Sequence, residues 1–170
     1  MGLRATLTLA HDALSKAGVE HALIGGIGLA TLGIHRATED VDMLVFGDDR
    51  TRAEEALSST GFVLRFSTAE VLHFEGKGRL DLLLANRPLS REMLVRALVF
   101  APHGIKCVSP EGMIGLKIQA YTNDRKRELQ DKADIQSLME KFPGLDRNQV
   151  RAYAELFGEW ETIRSLGEWK

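Results

Sequence analysis

The sequence predicts an α+β fold, with a small mixed β-sheet packed by helices in the first two thirds and a helical final third. Up to residue 108, short apolar segments with strand character alternate with glycine-containing turns. After residue 109 the apolar positions follow helical spacing. With 170 residues, 44% of them hydrophobic, we expect a single domain over 1–170, with a sheet-bearing core at 1–108 and a helical part at 109–170.

The elements of the first part follow from local patterns. Apolar residues at helical spacing predict a helix at 3–17, and a buried strand at 21–24 then runs through a glycine turn into a helix at 27–32. Glycines between the strands predicted at 71–74 and 79–85 indicate a hairpin. The remaining expectations are strands at 41–46, 62–66, 71–74, 79–85 and 105–108, and helices at 51–57 and 91–99.

The later part carries helix signals only. Ser109 and Pro110 are typical of a helix start, and Pro143 with Gly144 indicates a break. We predict helices at 111–120, 124–140 and 146–165.

Composition narrows the class of protein. The net charge is −2, so no global field favours a nucleic acid or a membrane surface. The single Cys107 cannot form an internal disulfide, which fits a reducing compartment. Because no apolar run approaches the roughly 20 residues that span a bilayer, and no signal peptide is recognised, we expect a soluble cytoplasmic protein without a membrane partner.

Three carboxylates point to a metal site. Asp40 and Asp42 are two residues apart on a predicted strand, so they share a face, and the repulsion between them favours a cation. Asp81 is the lone charge in the apolar strand at 80–85, where a buried carboxylate is costly. If the two strands are neighbours, the three aspartates surround one or two Mg²⁺ ions, or Mn²⁺ in their place, as in phosphoryl chemistry.

Simpler interpretations of these aspartates stay open. A pair with this spacing also occurs in solvated loops, and Asp81 could form an ion pair with Arg79 or Arg87.

The glycine pair Gly25 and Gly26 adds a nucleotide signal. Backbone at such a turn can approach phosphate oxygens because no Cβ intervenes, although an ordinary tight turn has the same sequence. Gly26, Gly28 and Thr31 only faintly match a dinucleotide fingerprint, and too few β-α-β units follow, so we reject a Rossmann fold.

Taken together, the glycine pair and the segment Arg36-Ala37-Thr38-Glu39-Asp40-Val41-Asp42 resemble the nucleotidyltransferase superfamily with the DNA polymerase β-like fold. The chain looks closest to bacterial minimal and abortive-infection (AbiEii-type) members. The resemblance covers roughly residues 20–140 and extends to Asp81 and to the later helical segment around Lys117.

The resemblance implies specific roles. Asp40, Asp42 and Asp81 would be catalytic and would bind magnesium, while nucleotide binding would fall to Gly25, Gly26, Arg36, Thr38 and Lys117. A nucleoside monophosphate would pass from a nucleoside triphosphate to an acceptor. Some such proteins are toxins, which would make an antitoxin a partner.

For several basic and aromatic residues the sequence is compatible with more than one role. Lys117 either binds phosphate or extends to solvent. Arg36 orients its loop, contacts phosphate or pairs with a nearby carboxylate, and the run 125–127 either meets an anion or lies on a solvated face. The apolar side of the last predicted helix, with Trp160 and Trp169, indicates core packing more than a partner interface. His35, His73 and His103 lack metal-site spacing and are interpreted as structural.

The sequence therefore favours a magnesium-dependent nucleotidyltransferase whose acceptor is an RNA, a protein or a small molecule. The alternative is a catalytically inactive module that senses nucleotides or binds protein as an antitoxin does. Retention of three costly carboxylates argues against the inactive module.

Overall fold

The computed structural model describes residues 1–100 and 104–169, which form two compact units, Met1–Val108 and Ser109–Lys170. The boundary coincides with the predicted division at 108/109, and the expectation of one domain stays a prediction. The first unit contains α1 (Leu3–Lys16), β1 (His21–Ile24), α2 (Gly25–Thr31), β2 (Asp40–Phe46), α3 (Arg50–Ser59), β3 (Val63–Ser67), β4 (Val71–Glu75), β5 (Arg79–Ala85), α4 (Pro88–Val95), β6 (Leu98–Val99) and β7 (Lys106–Cys107).

One seven-stranded sheet organises the first unit, in the order β3-β4-β5-β2-β1-β7-β6. Strand β2 runs parallel to β5 and antiparallel to β1, while β1 runs parallel to β7. The outer pairs β3–β4, β4–β5 and β6–β7 are antiparallel. The predicted mixed sheet and α+β class are confirmed.

The core of this unit lies on one face of the outer strands. In β4 and β5 the residues alternate, so that Leu72, Phe74, Leu80 and Leu82 are buried while their neighbours are partly or fully exposed. Alternation of this kind is typical of a sheet with one packed face and one open face. The open face of β4, β5 and β2 carries the polar residues discussed below.

Two predicted elements of this unit are wrong in detail. The helix expected at 91–99 is α4, which begins at Pro88 and ends at Val95, and Leu98–Val99 forms strand β6 instead. The strand predicted at 105–108 is shorter, β7 at Lys106–Cys107, and strand β6 lies outside it at the edge of the sheet. Helix α2 begins at Gly25, so both glycines lie in its first turn.

The second unit is helical, as predicted. It contains α5 (Pro110–Asn123), α6 (Glu128–Lys141), α7 (Arg147–Leu156) and α8 (Trp160–Leu166). The single helix expected at 146–165 is two helices, because the chain turns at Gly158, whose φ is +70°. Residues 125–127 form a short 3₁₀ turn before α6. Within the described ranges no helix is both long and apolar enough to cross a membrane.

A histidine pair lies at the end of the sheet where β1 begins. His21 donates from Nδ1 to the carbonyl of Val19 at 2.7 Å, so neutral His21 accepts at Nε2 from His11 Nδ1, also at 2.7 Å. Burial lowers the pKa of His21; the bond to Val19 and the charge of Glu20 oppose this, while His11 and Lys106 lower it further. The fold therefore holds His21 neutral.

This pair predicts a pH dependence of stability. The pKa of His21 is lower in the folded than in the unfolded chain. The stability that the folded state keeps while His21 is neutral is therefore fully present above about pH 6.5, and it is lost as the pH falls toward the folded pKa. Between pH 7.5 and 5.5 the free energy of unfolding, measured by urea denaturation, should fall further in the wild type than in His21→Asn. Equal losses in both proteins would contradict the assignment.

Candidate active site

Strand register brings the predicted carboxylates together. Asp42 on β2 lies directly opposite Asp81 on the parallel strand β5, and Ile24, at the end of β1, lies opposite Asp42 on its other side. Paired residues on adjacent strands project to the same face and lie roughly 5 Å apart. The expected adjacency of the two aspartate strands is therefore observed.

The carboxylates lie on the open face of the sheet. In β2, Asp40 and Asp42 are partly exposed while Val41 and Met43 are buried, as the two-residue repeat requires. The side chain of Asp81 is 31% exposed. The expectation that Asp81 is buried is wrong, because its strand packs on one face only.

Asp81 is nevertheless partly shielded from solvent. Burial raises its pKa, the hydrogen bond and charge of His73 lower it, and the negative charge of Asp40 raises it again. The neighbouring Asp40 has a carboxylate oxygen whose hydrogen-bonding capacity is not used within the described residues. Its Oδ1 is buried and makes no hydrogen bond to the described residues, and the guanidinium of Arg79 approaches it only to 3.5 Å. Two anionic side chains with incomplete compensation therefore share this face.

These residues fit a divalent cation. Carboxylate oxygens are the ligands Mg²⁺ prefers, and the buried Oδ1 of Asp40 is a polar atom for which an ion would supply the missing partner. In residues 1–100 and 104–169, no three His, Cys, Asp or Glu side chains already form a group able to hold a metal. Side-chain rotation toward a shared ion is therefore required, and Asp81 would loosen its contact with His73.

The glycine pair packs directly against this cluster. Gly25 has φ +61°, and a Cβ added there would lie 2.1 Å from Oδ2 of Asp42. A Cβ on Gly26 would lie 2.5 Å from the Cβ of Thr38, whose hydroxyl donates to the carbonyl of Asp40 at 3.4 Å. The glycines thus let the start of α2 approach the aspartate strand closely, and their binding of phosphate stays a prediction.

The arginines near the site have protein partners. Arg36 donates from Nη1 to the carbonyl of Ala37 at 3.2 Å, within the loop before Asp40. Arg79 pairs with Glu39 at 3.2 Å and with Asp40, while Arg87 pairs with Glu70 at 2.8 Å. The alternative in which Asp81 pairs with Arg79 or Arg87 is therefore not the observed arrangement.

His73 belongs to the site, although the sequence indicated only a structural role. It lies opposite Asp81 on β4, and its Nδ1 is 2.6 Å from Asp81 Oδ1. Because a carboxylate accepts, Nδ1 carries the proton. Sequence spacing could not reveal this contact, since cross-strand pairing depends on hairpin register; the glycines at 76 and 78 were the available signal. His103 lies outside the described residues.

Lys117, on α5 of the second unit, is placed differently from expectation. Its side chain is 5% exposed, and its ammonium lies 2.8 Å from Asp131 Oδ1 and 2.7 Å from Asp134 Oδ2. The extension to solvent is therefore not observed. An ammonium between two carboxylates offers little net charge to a phosphate, and the predicted phosphate contact has no support within this unit.

The basic run 125–127 also meets carboxylates of its own unit. Arg125 pairs with Glu128 and Glu159, and Arg127 pairs with Asp131. That the run 125–127 also binds an anionic partner stays a prediction.

Solved structures share this fold. The chain matches no family model and no curated protein sequence. It superposes on the antibiotic-resistance factor ANT(2'')-Ia with a TM-score of 0.68 at 17% identity, covering 97% of each chain. An antigenic nucleotidyltransferase-like protein from Paracoccidioides brasiliensis gives 0.56 at 19% identity, covering 100% of this chain and 95% of that one.

A third similar structure is the lincosamide antibiotic adenylyltransferase LnuA with lincomycin bound, with a TM-score of 0.52 at 17% identity. The match covers 78% of this chain and 94% of LnuA. The three structures together show that the chain has the nucleotidyltransferase fold.

The close approach of Gly25 to Asp42 predicts a large effect of a small substitution. Gly25→Ala combines a left-handed backbone with a clash against the carboxylate, so it should destabilise the protein by at least about 1–2 kcal/mol. Gly144→Ala, where nothing lies within 4 Å, is the matched control and should melt close to the wild-type temperature. Thermal unfolding followed by circular dichroism measures both, and equal melting temperatures for the two variants would contradict the packing.

The buried position of Lys117 makes a separate prediction. Lys117→Met would leave Asp131 and Asp134 buried without their shared cation, which should cost about 3–5 kcal/mol. Lys132→Met breaks a more exposed pair with Glu128 and should unfold close to the wild-type urea concentration. Urea denaturation compares the two; a Lys117→Met protein as stable as wild type would show that the lysine is not structural.

Proposed function

We propose that this chain, which has the nucleotidyltransferase fold, transfers a nucleoside monophosphate from a nucleoside triphosphate to an acceptor hydroxyl and depends on Mg²⁺. The observation that carries the proposal is the alignment of Asp42 with Asp81 on adjacent strands, with Asp40 on the same face. Like charges side by side are unfavourable in the protein alone, and a divalent cation offsets their repulsion.

Each residue has a defined part in this reaction. Asp40, Asp42 and Asp81 would hold the metal. When bound there, magnesium supplies positive charge to the triphosphate and to the attacking and leaving oxygens. The bond from the acceptor oxygen to the α-phosphorus forms, the bond from the α-phosphorus to the bridging oxygen breaks, and pyrophosphate leaves. The hydroxyl would pass its proton to the carboxylate of Asp81.

The chain's other residues position these groups. Gly25 and Gly26 bring the start of α2 against Asp42 and Thr38 because no Cβ separates them, and a triphosphate would approach the carboxylates along this exposed backbone. Thr38 and Arg36 stabilise the loop before Asp40, because their side chains donate hydrogen bonds to the backbone carbonyls of Asp40 and Ala37, respectively. His73 holds Asp81 in one orientation until the substrates arrive. The strands thereby place the three carboxylates on one face before binding, and rotation of their side chains would complete the site.

A small molecule is the acceptor we favour. One structure of ANT(2'')-Ia contains adenylyl-2''-tobramycin, and the LnuA structure contains lincomycin. The chain spans nearly the full length of both proteins. The likeness to abortive-infection proteins, a toxin role, an antitoxin partner and cytoplasmic location stay predictions from the sequence.

A labelling experiment tests the proposal. With Mg²⁺, a small-molecule extract and each nucleoside triphosphate in turn, label from the α-phosphate should pass to an acceptor, whereas label from the γ-phosphate should leave in pyrophosphate. Asp42→Asn and Asp81→Asn should each lower the rate at least about 100-fold, because each removes charge that holds the metal. Asp48→Asn, in an exposed pair with Arg91, is the control and should keep the wild-type rate.

Three outcomes would contradict the proposal. Transfer of the γ-label to an acceptor would indicate a kinase. Wild-type transfer by both active-site variants would remove the carboxylates from the mechanism, and no labelled acceptor with any triphosphate would favour the inactive binding module.

A further inference from the structure

Asp42 and Asp81 belong to a row of residues that lie opposite one another on adjacent strands. This row continues through two more strands to the edge of the sheet. His73 lies opposite Asp81 on one side and opposite Phe66, on the edge strand β3, on the other. The two rings have centroids 5.5 Å apart and planes inclined by 31°. We call Phe66 and His73 the aromatic shelf. It lies on the same face as Asp42 and Asp81.

A β-bulge places Phe66 on this face. The register of β3 against β4 shifts between Leu64 and Phe66, so Arg65 is the extra residue. Without the shift, strand alternation would turn Arg65 toward the row and Phe66 away from it. The bulge therefore interrupts the regular pairing of β3 with β4 and places the ring of Phe66 on the same face as the carboxylates.

The exposure of Phe66 is not explained by packing within its unit. The residue is 57% exposed, whereas Phe62 and Phe74, which pack edge to face nearby, are at most 2% exposed. The side chain of His73 is 41% exposed. An edge strand more often carries charged residues, because an exposed apolar edge invites aggregation. A ligand that covers the ring would offset this liability.

The charges around the shelf disfavour a polyanion. The arginines of β3 and β5 are both engaged: Arg65 pairs with Glu75 at 3.2 Å, and Arg79 pairs with Glu39 and Asp40. Asp42 and Asp81 add further negative charge to the same face. A nucleic-acid acceptor depends on unengaged cations for its phosphates, whereas a neutral or cationic ring does not.

Strand spacing sets the size of the ligand. Phe66 is two strands from Asp81, and strands lie roughly 4.8 Å apart, so the ring is roughly 10 Å from the carboxylate that faces the transfer reaction. A single sugar ring is shorter than this distance. Two or three linked rings span it.

We propose that the aromatic shelf, Phe66 with His73, binds the distal ring of the acceptor, and that the acceptor is a neutral or cationic small molecule of two or more linked rings. This inference rests on the proposed nucleotidyl transfer, because it assumes that the reacting hydroxyl lies at Asp42 and Asp81. Phe66 is then a specificity-determining residue: its ring holds the far end of the acceptor while the near hydroxyl faces the carboxylates.

Binding measurements with four probes test the inference. We would titrate wild type, Phe66→Ala, Phe66→Tyr and Val63→Ala calorimetrically with tobramycin, with its central ring 2-deoxystreptamine alone, with neutral maltotriose and with a 20-nucleotide RNA, all in Mg²⁺ and a non-hydrolysable triphosphate analogue. Val63 is the matched control, because it is 45% exposed on the same strand and face. Affinity for the triphosphate analogue is measured separately in every variant.

The expected affinities distinguish acceptor binding at the aromatic shelf from triphosphate binding at the carboxylates. At least one multi-ring compound should bind wild type more tightly than the single ring, and Phe66→Ala should weaken that compound about five- to tenfold, as loss of an aromatic contact does. Phe66→Tyr and Val63→Ala should bind like wild type, and the triphosphate affinity should be the same in all four proteins.

Other results overturn the inference, and they differ from failure of the proposed function. Unchanged binding in Phe66→Ala, equal affinity for one ring and three rings, or RNA binding that depends on Phe66 would each contradict the shelf. Triphosphate binding by wild type without affinity for either multi-ring compound would contradict the acceptor class. Absence of triphosphate binding would instead contradict the proposed transferase.

Discussion

The parallel pairing of β2 with β5 is the constraint on which the candidate site depends. It sets Asp42 beside Asp81, and the two-residue repeat of β2 adds Asp40 to the same face. A slip of one residue would turn an aspartate into the core and a leucine onto the open face. The residues on the buried face of β2, Val41 and Met43, oppose that slip because apolar burial stabilises only the observed register. The hydrophobic core therefore holds like charges together that would otherwise separate.

The remaining features of the first unit accommodate this arrangement. Gly25 and Gly26 allow α2 to begin against Asp42 and Thr38, which larger residues would prevent. Arg79 partly neutralises Asp40, and His73 engages one oxygen of Asp81. The compensation is incomplete, since Oδ1 of Asp40 is buried without a hydrogen bond. Aligned carboxylates, one of which keeps a buried oxygen without a hydrogen bond, are suited to binding a cation.

The sequence was most informative where a short-range repeat decides the structure. Strand alternation correctly placed Asp40 and Asp42 on one face, and the strand and glycine patterns predicted most of the sheet. Burial of Asp81 was misjudged because an apolar strand does not reveal how many of its faces are covered. The pairing of His73 with Asp81 depends on hairpin register, and the bulge at Arg65 depends on cross-strand packing, so neither follows from local sequence. The helix predicted at 146–165 is divided at Gly158 because a left-handed residue interrupts an apolar pattern that otherwise continues.

The central claim is that aligned carboxylates bind the metal, and melting temperature with and without Mg²⁺ tests it most directly. Wild type and Asp42→Asn are melted in EDTA and in millimolar Mg²⁺. We expect Mg²⁺ to raise the melting temperature of the wild type, because a ligand bound only by the folded state stabilises it, and to leave Asp42→Asn nearly unchanged. An equal rise with Mg²⁺ in both proteins would contradict the account.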